Sequence, residues 1–184
     1  MGTSLITAPV AEPVTLAEAR AQCRVTHELD DAQFAALILS AREWAQGFTR
    51  RMFMAQTWEY TAPGFSAEIE LPVFPVQSIT SVKYVDTAGV TQTLAGAAYE
   101  SDLVSVVPRI RAAVGYTWPS TKYVYNAVTV RFVAGYAADH PDLLTVRSAM
   151  LLHVEAHYDR DTDNFDSLMK AAESLLGPLR IIRL

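Results

Sequence analysis

The chain has 184 residues, 51% of them apolar by a broad count and only 19% charged, with 15 Lys+Arg against 20 Asp+Glu for a formal charge of −5. That length and apolarity suffice for one domain with a real core, or one domain with a sizeable insertion, and exclude a mainly disordered chain, which needs low hydrophobicity and high net charge. A pI near 5.3 argues against a general nucleic-acid binder with its basic stripe, and a single cysteine, Cys23, excludes a disulfide-stapled scaffold.

No run of about 18 apolar residues occurs, so no membrane span is expected. Residues 1–14 lack the basic start and apolar block of a signal peptide, and a soluble intracellular chain is the expectation. Globular domains average roughly 25% charged residues. The surface is therefore under-charged, and part of it is expected to be buried against other chains.

Residues 1–14, with Pro9 and Pro13, read as an extended arm. Thr15-Leu16-Ala17-Glu18 fits a capping box opening a short helix to about Arg24, with Leu16, Ala19 and Cys23 on one side. Asp30 opens a longer helix. Phe34, Leu37, Ile38, Ala41, Trp44, Ala45 and Phe48 form its apolar face, Arg42 and Glu43 fall off that face, and Arg50 and Arg51 close its last turn. From Gln56 onward, Pro63, Pro72, Pro75, Pro108 and Pro119 break helices. Between them lie β-type runs at 56–60, 68–71, 78–85, 90–94, 104–107, 109–113 and 126–132. Asp86-Thr87-Ala88-Gly89 turns the third run back onto the fourth as a hairpin. Strands joined without intervening helices imply an antiparallel sheet.

A third helix starts at Pro141, capped by Asp139 or His140, and carries Leu143, Leu144, Val146, Met150, Leu151, Val154, Ala156, His157 and Tyr158 on its apolar side. Asp159 to Asp163 read as an acidic loop. A fourth helix spans Phe165 to Leu176, capped by Asp163 or Asn164 and stopped by Gly177-Pro178. The expected fold is α+β: a small four-helix body, two N-terminal and two C-terminal helices, with an antiparallel β insertion in the middle. The expected boundaries are 1–14 for the arm, 15–55 and 137–178 for the helical body, 56–136 for the insertion and 179–184 for the tail.

Candidate chemistry is sparse. His153 and His157 sit at i and i+4 on one helical face, a spacing that can chelate a metal, but Val154 stands where a metalloprotease carries its general-base Glu. A small metal-dependent hydrolase using His153, His157 and an Asp of the loop is the rival reading; packing or interface histidines are the simpler one. Asp159, Asp161 and Asp163 imitate the start of a calcium loop, yet Asn164 and Lys170 replace its diagnostic Gly and Glu. There is no Gly-rich phosphate loop and no nucleophile elbow. Tyr116, Trp118, Tyr123 and Tyr125 form an aromatic cluster that could stack bases, but with only Lys122 and the more distant Arg109 and Arg111 beside it, packing in a sheet or interface is the expected role. No catalytic set, cofactor or metal is expected.

The order of segments carries a resemblance. Pro13-Val14-Thr15-Leu16-Ala17-Glu18-Ala19-Arg20 leads into Cys23-Arg24-Val25, Asp30-Asp31, Ala41-Arg42-Glu43 and Gln56-Thr57-Trp58. Leu71-Pro72, Pro75-Val76-Gln77-Ser78-Ile79 and Ser81–Asp86 follow, then Trp118-Pro119, Ala134-Gly135-Tyr136, Pro141-Asp142-Leu143, a Leu-Leu-His-Val helix and Leu175–Arg180. This resembles the head–tail connector (adaptor) family of tailed bacteriophages and prophages, including gene-transfer-agent relatives. The resemblance implies a structural virion protein of the neck, present in host cytoplasm during assembly, and not an enzyme. It implies a ring of about twelve copies beneath a portal protein, with a downstream neck or tail-completion protein on its other face. Genome DNA would pass through its channel without sequence-specific binding. The rival within the same class is another neck or tail-completion protein. The expected interface residues are Trp118 and Tyr123 with the tail Leu179, Arg180, Ile181, Ile182, Arg183 and Leu184; the arm is expected to dock on neighbours too.

Overall fold

The structure is a computed structural model, and it describes residues 1–158 and 164–181. The chain is a mixed helix-and-sheet fold with antiparallel sheets, divided into two compact units: Met1–Pro9 with Ala55–Gly135, and Val10–Met54 with Tyr136–Leu184. Among the described residues no helix is long and apolar enough to cross a membrane.

The second unit holds α1 (Leu16–Gln22), α2 (Asp31–Thr49), α3 (Asp142–Tyr158) and α4 (Phe165–Leu176). The capping box of α1 is present: Glu18 N–H donates to Thr15 Oγ1 at 3.2 Å, and Thr15 N–H donates to Glu18 Oε2 at 2.8 Å. That second bond is the first cause of a lowered Glu18 pKa, and Arg147 on α3 pairs with the same carboxylate. α3 packs on α2 and α4. Their apolar stripes meet in a core of Phe34, Ile38, Ala41 and Ala45 from α2, Val146, Ala149, Met150 and Val154 from α3, and Ala172 and Leu176 from α4. Each large side chain buried there is worth about 1.5–3 kcal/mol.

Several expectations fail at element ends. α2 stops at Thr49 because Arg50 turns left-handed (φ 59°) and donates its N–H to Gln46 O at 2.8 Å, so Arg50 and Arg51 lie past the helix. The stop of α4 does hold: the helix ends at Leu176, and the right-handed Gly177 with Pro178 turns it into a 3-10 turn, Gly177–Leu179. Neither Asp30 nor Asn164 caps its helix through a side-chain bond; Asp30 instead accepts from the Tyr158 hydroxyl at 2.8 Å. Leu144, expected on the apolar side of α3, is 70% exposed. The acidic loop at 159–163 lies outside the described residues.

The first unit contains two sheets. One has five strands in the order β1 (Gly2–Thr7), β2 (Gln56–Ala62), β8 (Val128–Ala134), β4 (Val76–Val85) and β5 (Thr91–Thr93). The other has three, β3 (Glu68–Glu70), β7 (Arg109–Ala112) and β6 (Tyr99–Asp102). β8 alternates strictly: Val128, Val130, Phe132 and Ala134 are buried, while Thr129, Arg131 and Val133 are half-buried. The hairpin β4–β5 forms as expected. Asp86 holds its turn by accepting from the backbone N–H groups of Ala88 (3.0 Å) and Val90 (2.9 Å) and from Gln92 Nε2 (2.9 Å). Gly89 supplies the positive φ of 89° that the turn requires.

Two strands were not foreseen and one expected strand is absent. The arm contains β1, paired antiparallel with β2, so the sheet does not come from the middle of the chain alone. Residues 104–107 are a loop because Asp102 captures Ser105 N–H (3.1 Å) and Ser105 Oγ (2.6 Å) in an Asx-type turn. The strand runs instead through β6, just before that turn.

Phe34 is fully buried and stacks on Tyr158 with centroids 4.6 Å apart. Phe34→Ala should cost ~3–5 kcal/mol in urea unfolding. Leu29→Ala, at a residue 88% exposed, should stay within ~0.5 kcal/mol of the parent.

Candidate functional site

Among the described residues the informative features are surfaces. In the sheet unit, the loop between β7 and β8 lifts aromatic side chains into solvent. Tyr123 and Tyr125 are essentially fully exposed and Tyr116 is more than half exposed, beside an exposed Val114. The base of this loop is fixed. Trp118 stacks on Phe65 at 4.5 Å with planes 8° apart, Thr121 bridges to Asp86, and Lys122 N–H donates to Val85 O at 3.0 Å. Trp118 thus anchors the loop while Tyr123 is displayed, and the two expected interface aromatics have opposite roles. Arg109 and Arg111 belong to β7 and do not accompany the tyrosines as free cations. Arg109 pairs with Glu68 (3.2 Å) and Asp102 (3.5 Å), and Arg111 pairs with Glu100 (3.1 Å).

The helical unit fixes the start of the tail. Arg51 Nε donates to Leu179 O at 2.5 Å, and Ile181 N–H donates to Thr49 O at 3.0 Å. Ile181 is buried, and the Arg180 guanidinium lies 5.2 Å from the Phe48 ring centre. Arg51 Nη1 also donates to the Tyr136 hydroxyl (2.9 Å), which donates to Asp142 Oδ2 (3.1 Å). Leu179, Arg180 and Ile181 therefore dock on their own chain. Ile182, Arg183 and Leu184 lie outside the described residues.

Arg42 departs from its expected place off the apolar face of α2. It is buried and pairs with Glu12 at 2.7 Å, tying the segment before α1 to α2. The 3.6 period gave no sign of this, because the partner carboxylate comes from a non-helical segment.

His153 and His157 are brought together as stacked rings, with centroids 4.0 Å apart and planes at 19°. His157 Nδ1 is engaged with the His153 carbonyl at 2.8 Å. His153 is buried against Trp44 (4.8 Å), and its Nδ1 has no hydrogen-bond partner among the described residues. Burial, and then the neighbouring His157, push its imidazole down to about 4 from the ordinary 6.5. Among the described residues no three His, Cys, Asp or Glu side chains are grouped to hold a metal ion. The loop Asp that the hydrolase reading needs lies outside the described residues. In this geometry the pair is an aromatic packing element.

No family model and no curated protein matches the chain. Solved structures do match its fold. A chain from the neck of an empty GTA particle, computed with C6 symmetry, superposes with a TM-score of 0.82 at 22% identity, covering 100% of this chain and 97% of that one. A chain from the virion of a native gene transfer agent (GTA) particle gives 0.79 at 24% identity, with the same coverage. A chain from the neck of a native GTA particle, computed with C12 symmetry, gives 0.71 at 22% identity over 98% and 97% of the two chains. At these identities the likeness shows that the fold is shared.

The buried imidazole makes stability depend on pH. Folded His153 stays neutral down to about 4, whereas the unfolded chain takes up its proton below 6.5. Stability should be full above pH 6.5 and fall by up to ~1.4 kcal/mol per unit as pH drops toward 4. Urea midpoints across that range should show this slope in the parent and a shallower one in His153→Phe.

Proposed function

We propose that this chain is a structural protein of a virion neck: a head–tail connector adaptor that assembles as a ring beneath the portal, extends the DNA channel and offers a docking face to the next neck or tail protein. The observation that carries this reading is the end-to-end likeness to chains from GTA necks computed with C6 and C12 symmetry. A ring subunit has two different side faces as well as a top and a bottom. The displayed tyrosines of the β7–β8 loop, Tyr116, Tyr123 and Tyr125, supply contact surface for such neighbours. Tyrosine offers large amphipathic contact area at low entropic cost and is enriched in interfaces. The formal charge of −5 suits a channel through which DNA slides without being gripped.

Electron microscopy of the full chain mixed with portal protein tests the assignment. The expected result is a ring of this chain under the portal, with a lumen not lined mainly by Lys and Arg. Binding only to the tail tube would instead make it another neck or tail-completion protein. Replacing Tyr123 and Tyr125 together by Ser should leave the unfolding free energy of the isolated chain within ~0.5 kcal/mol of the parent. The same replacement should weaken association with portal at least about tenfold, or ~1.4 kcal/mol, read by titration.

A further inference from the structure

The two sheets treat their edges differently. The three-stranded sheet is guarded on both sides by carboxylates, Glu68 and Glu70 on β3 and Glu100 and Asp102 on β6. Charged edge strands are how proteins keep a sheet from pairing with another chain. The five-stranded sheet has no such guard. Its edges are Gly2-Thr3-Ser4-Leu5-Ile6-Thr7 and Thr91-Gln92-Thr93, with no charge and no proline on either, and every residue of both strands is exposed. Leu5 and Ile6 are each 45% exposed on β1.

Both edges have main-chain groups to offer. Asp86 N–H donates to Val90 O (2.9 Å) and Leu94 N–H to Val82 O (2.8 Å), so residues 90 and 94 turn inward to the hairpin partner. The alternation of an antiparallel ladder then turns the N–H and C=O of Thr91 and Thr93 outward. On β1, pairing is regular from Gly2 to Leu5, and the irregularity comes only between Leu5 and Thr7. All four neighbouring pairs in the sheet are antiparallel, so the two edge strands, first and fifth in order, run in the same direction.

Two open edges on opposite sides of one sheet are what a head-to-tail contact requires, because each copy must present two different, complementary surfaces. We infer that the outer edge of β5 in one copy pairs in parallel with the outer edge of β1 in the next, so that the five-stranded sheets join across subunits by strand addition. This rests on the ring reading above. The occupant of the β1 edge is a second copy of this chain. The pairing covers Leu5 and Ile6 and uses the main-chain groups of Thr91 and Thr93.

Disulfide trapping tests the joint in the full chain assembled with portal. Ser4 and Thr91 or Thr93 project from the same face of the sheet, as the register runs Ser4–Glu59–Arg131–Ser81 and Gly2–Thr61–Thr129–Lys83–Thr93. Within one copy, β1 and β5 are four strand spacings apart, ~19 Å, far beyond the ~7 Å Cα limit for a disulfide. Ser4→Cys combined with Thr91→Cys or with Thr93→Cys, in a Cys23→Ser background, can therefore cross-link only between copies. A ladder of covalent multimers on oxidation is expected from at least one pair. Thr91→Lys with Thr93→Lys should keep the parent circular dichroism and lose ring assembly. Rings visible by microscopy without a ladder from either pair, or lysine variants that assemble like the parent, would overturn the joint and leave the ring reading standing. Absence of rings in the parent would overturn the ring reading, and the joint with it.

Discussion

The sheet unit depends on one strand. β8 lies at the centre of the five-stranded sheet and pairs with β2 on one side and β4 on the other, and its side chains alternate between buried and half-buried without a break. Because the side-chain period of a strand is two, a slip of one residue would move Val128, Val130 and Phe132 to the wetter face and bring Thr129 and Arg131 inside. The cost of burying Arg131 fixes the register. In the native register it meets Glu59 of β2 at 2.7 Å. Once β8 is placed, β2 and β4 follow, and β1 and β5 become the edges by exclusion.

The same economy of charge explains the surface. In a chain with only 19% charged residues, Glu68, Glu70, Glu100 and Asp102 sit on the edge strands of the smaller sheet, and Arg131 and Glu59 hold the register of the larger one. β7 sets Arg109 and Arg111 between the acidic residues of β3 and β6, so the smaller sheet is closed to further strands. The edge strands β1 and β5 of the larger sheet carry no charge, and the β7–β8 loop displays Tyr116, Tyr123 and Tyr125, surfaces that can meet another protein without desolvating a charge. An under-charged surface of this kind fits a chain that works between neighbours, as the neck reading requires.

How far the sequence could be read depended on the range of the interaction. The helix stripes, the Thr15–Glu18 box and the β4–β5 hairpin lie within short windows and were legible, since period and turn chemistry act locally. β1 was not, because Gly2–Thr7 becomes a strand only through β2, more than 50 residues away. Arg42 was misplaced for the same reason: Glu12, outside any helix, holds its guanidinium inside. Val104–Val107 misled because β propensity was outweighed by the capture of Ser105 by Asp102. The candidate surfaces were half legible. Tyr123 and Trp118 were picked out by type, but which one is anchored and which displayed rests on the Phe65 stack.

The sequence by itself determined the α+β class, four helices, most of their inward faces, the existence of an antiparallel sheet and the want of charge, because each follows from residue type and spacing along the chain. Only the tertiary structure decided that the N-terminal arm is an edge strand, that the smaller sheet is guarded and the larger one open, and that His153 is a buried neutral ring. Those properties belong to pairs of residues distant in sequence. Hydrogen-bonding edges and desolvation exist only once such residues have been brought together.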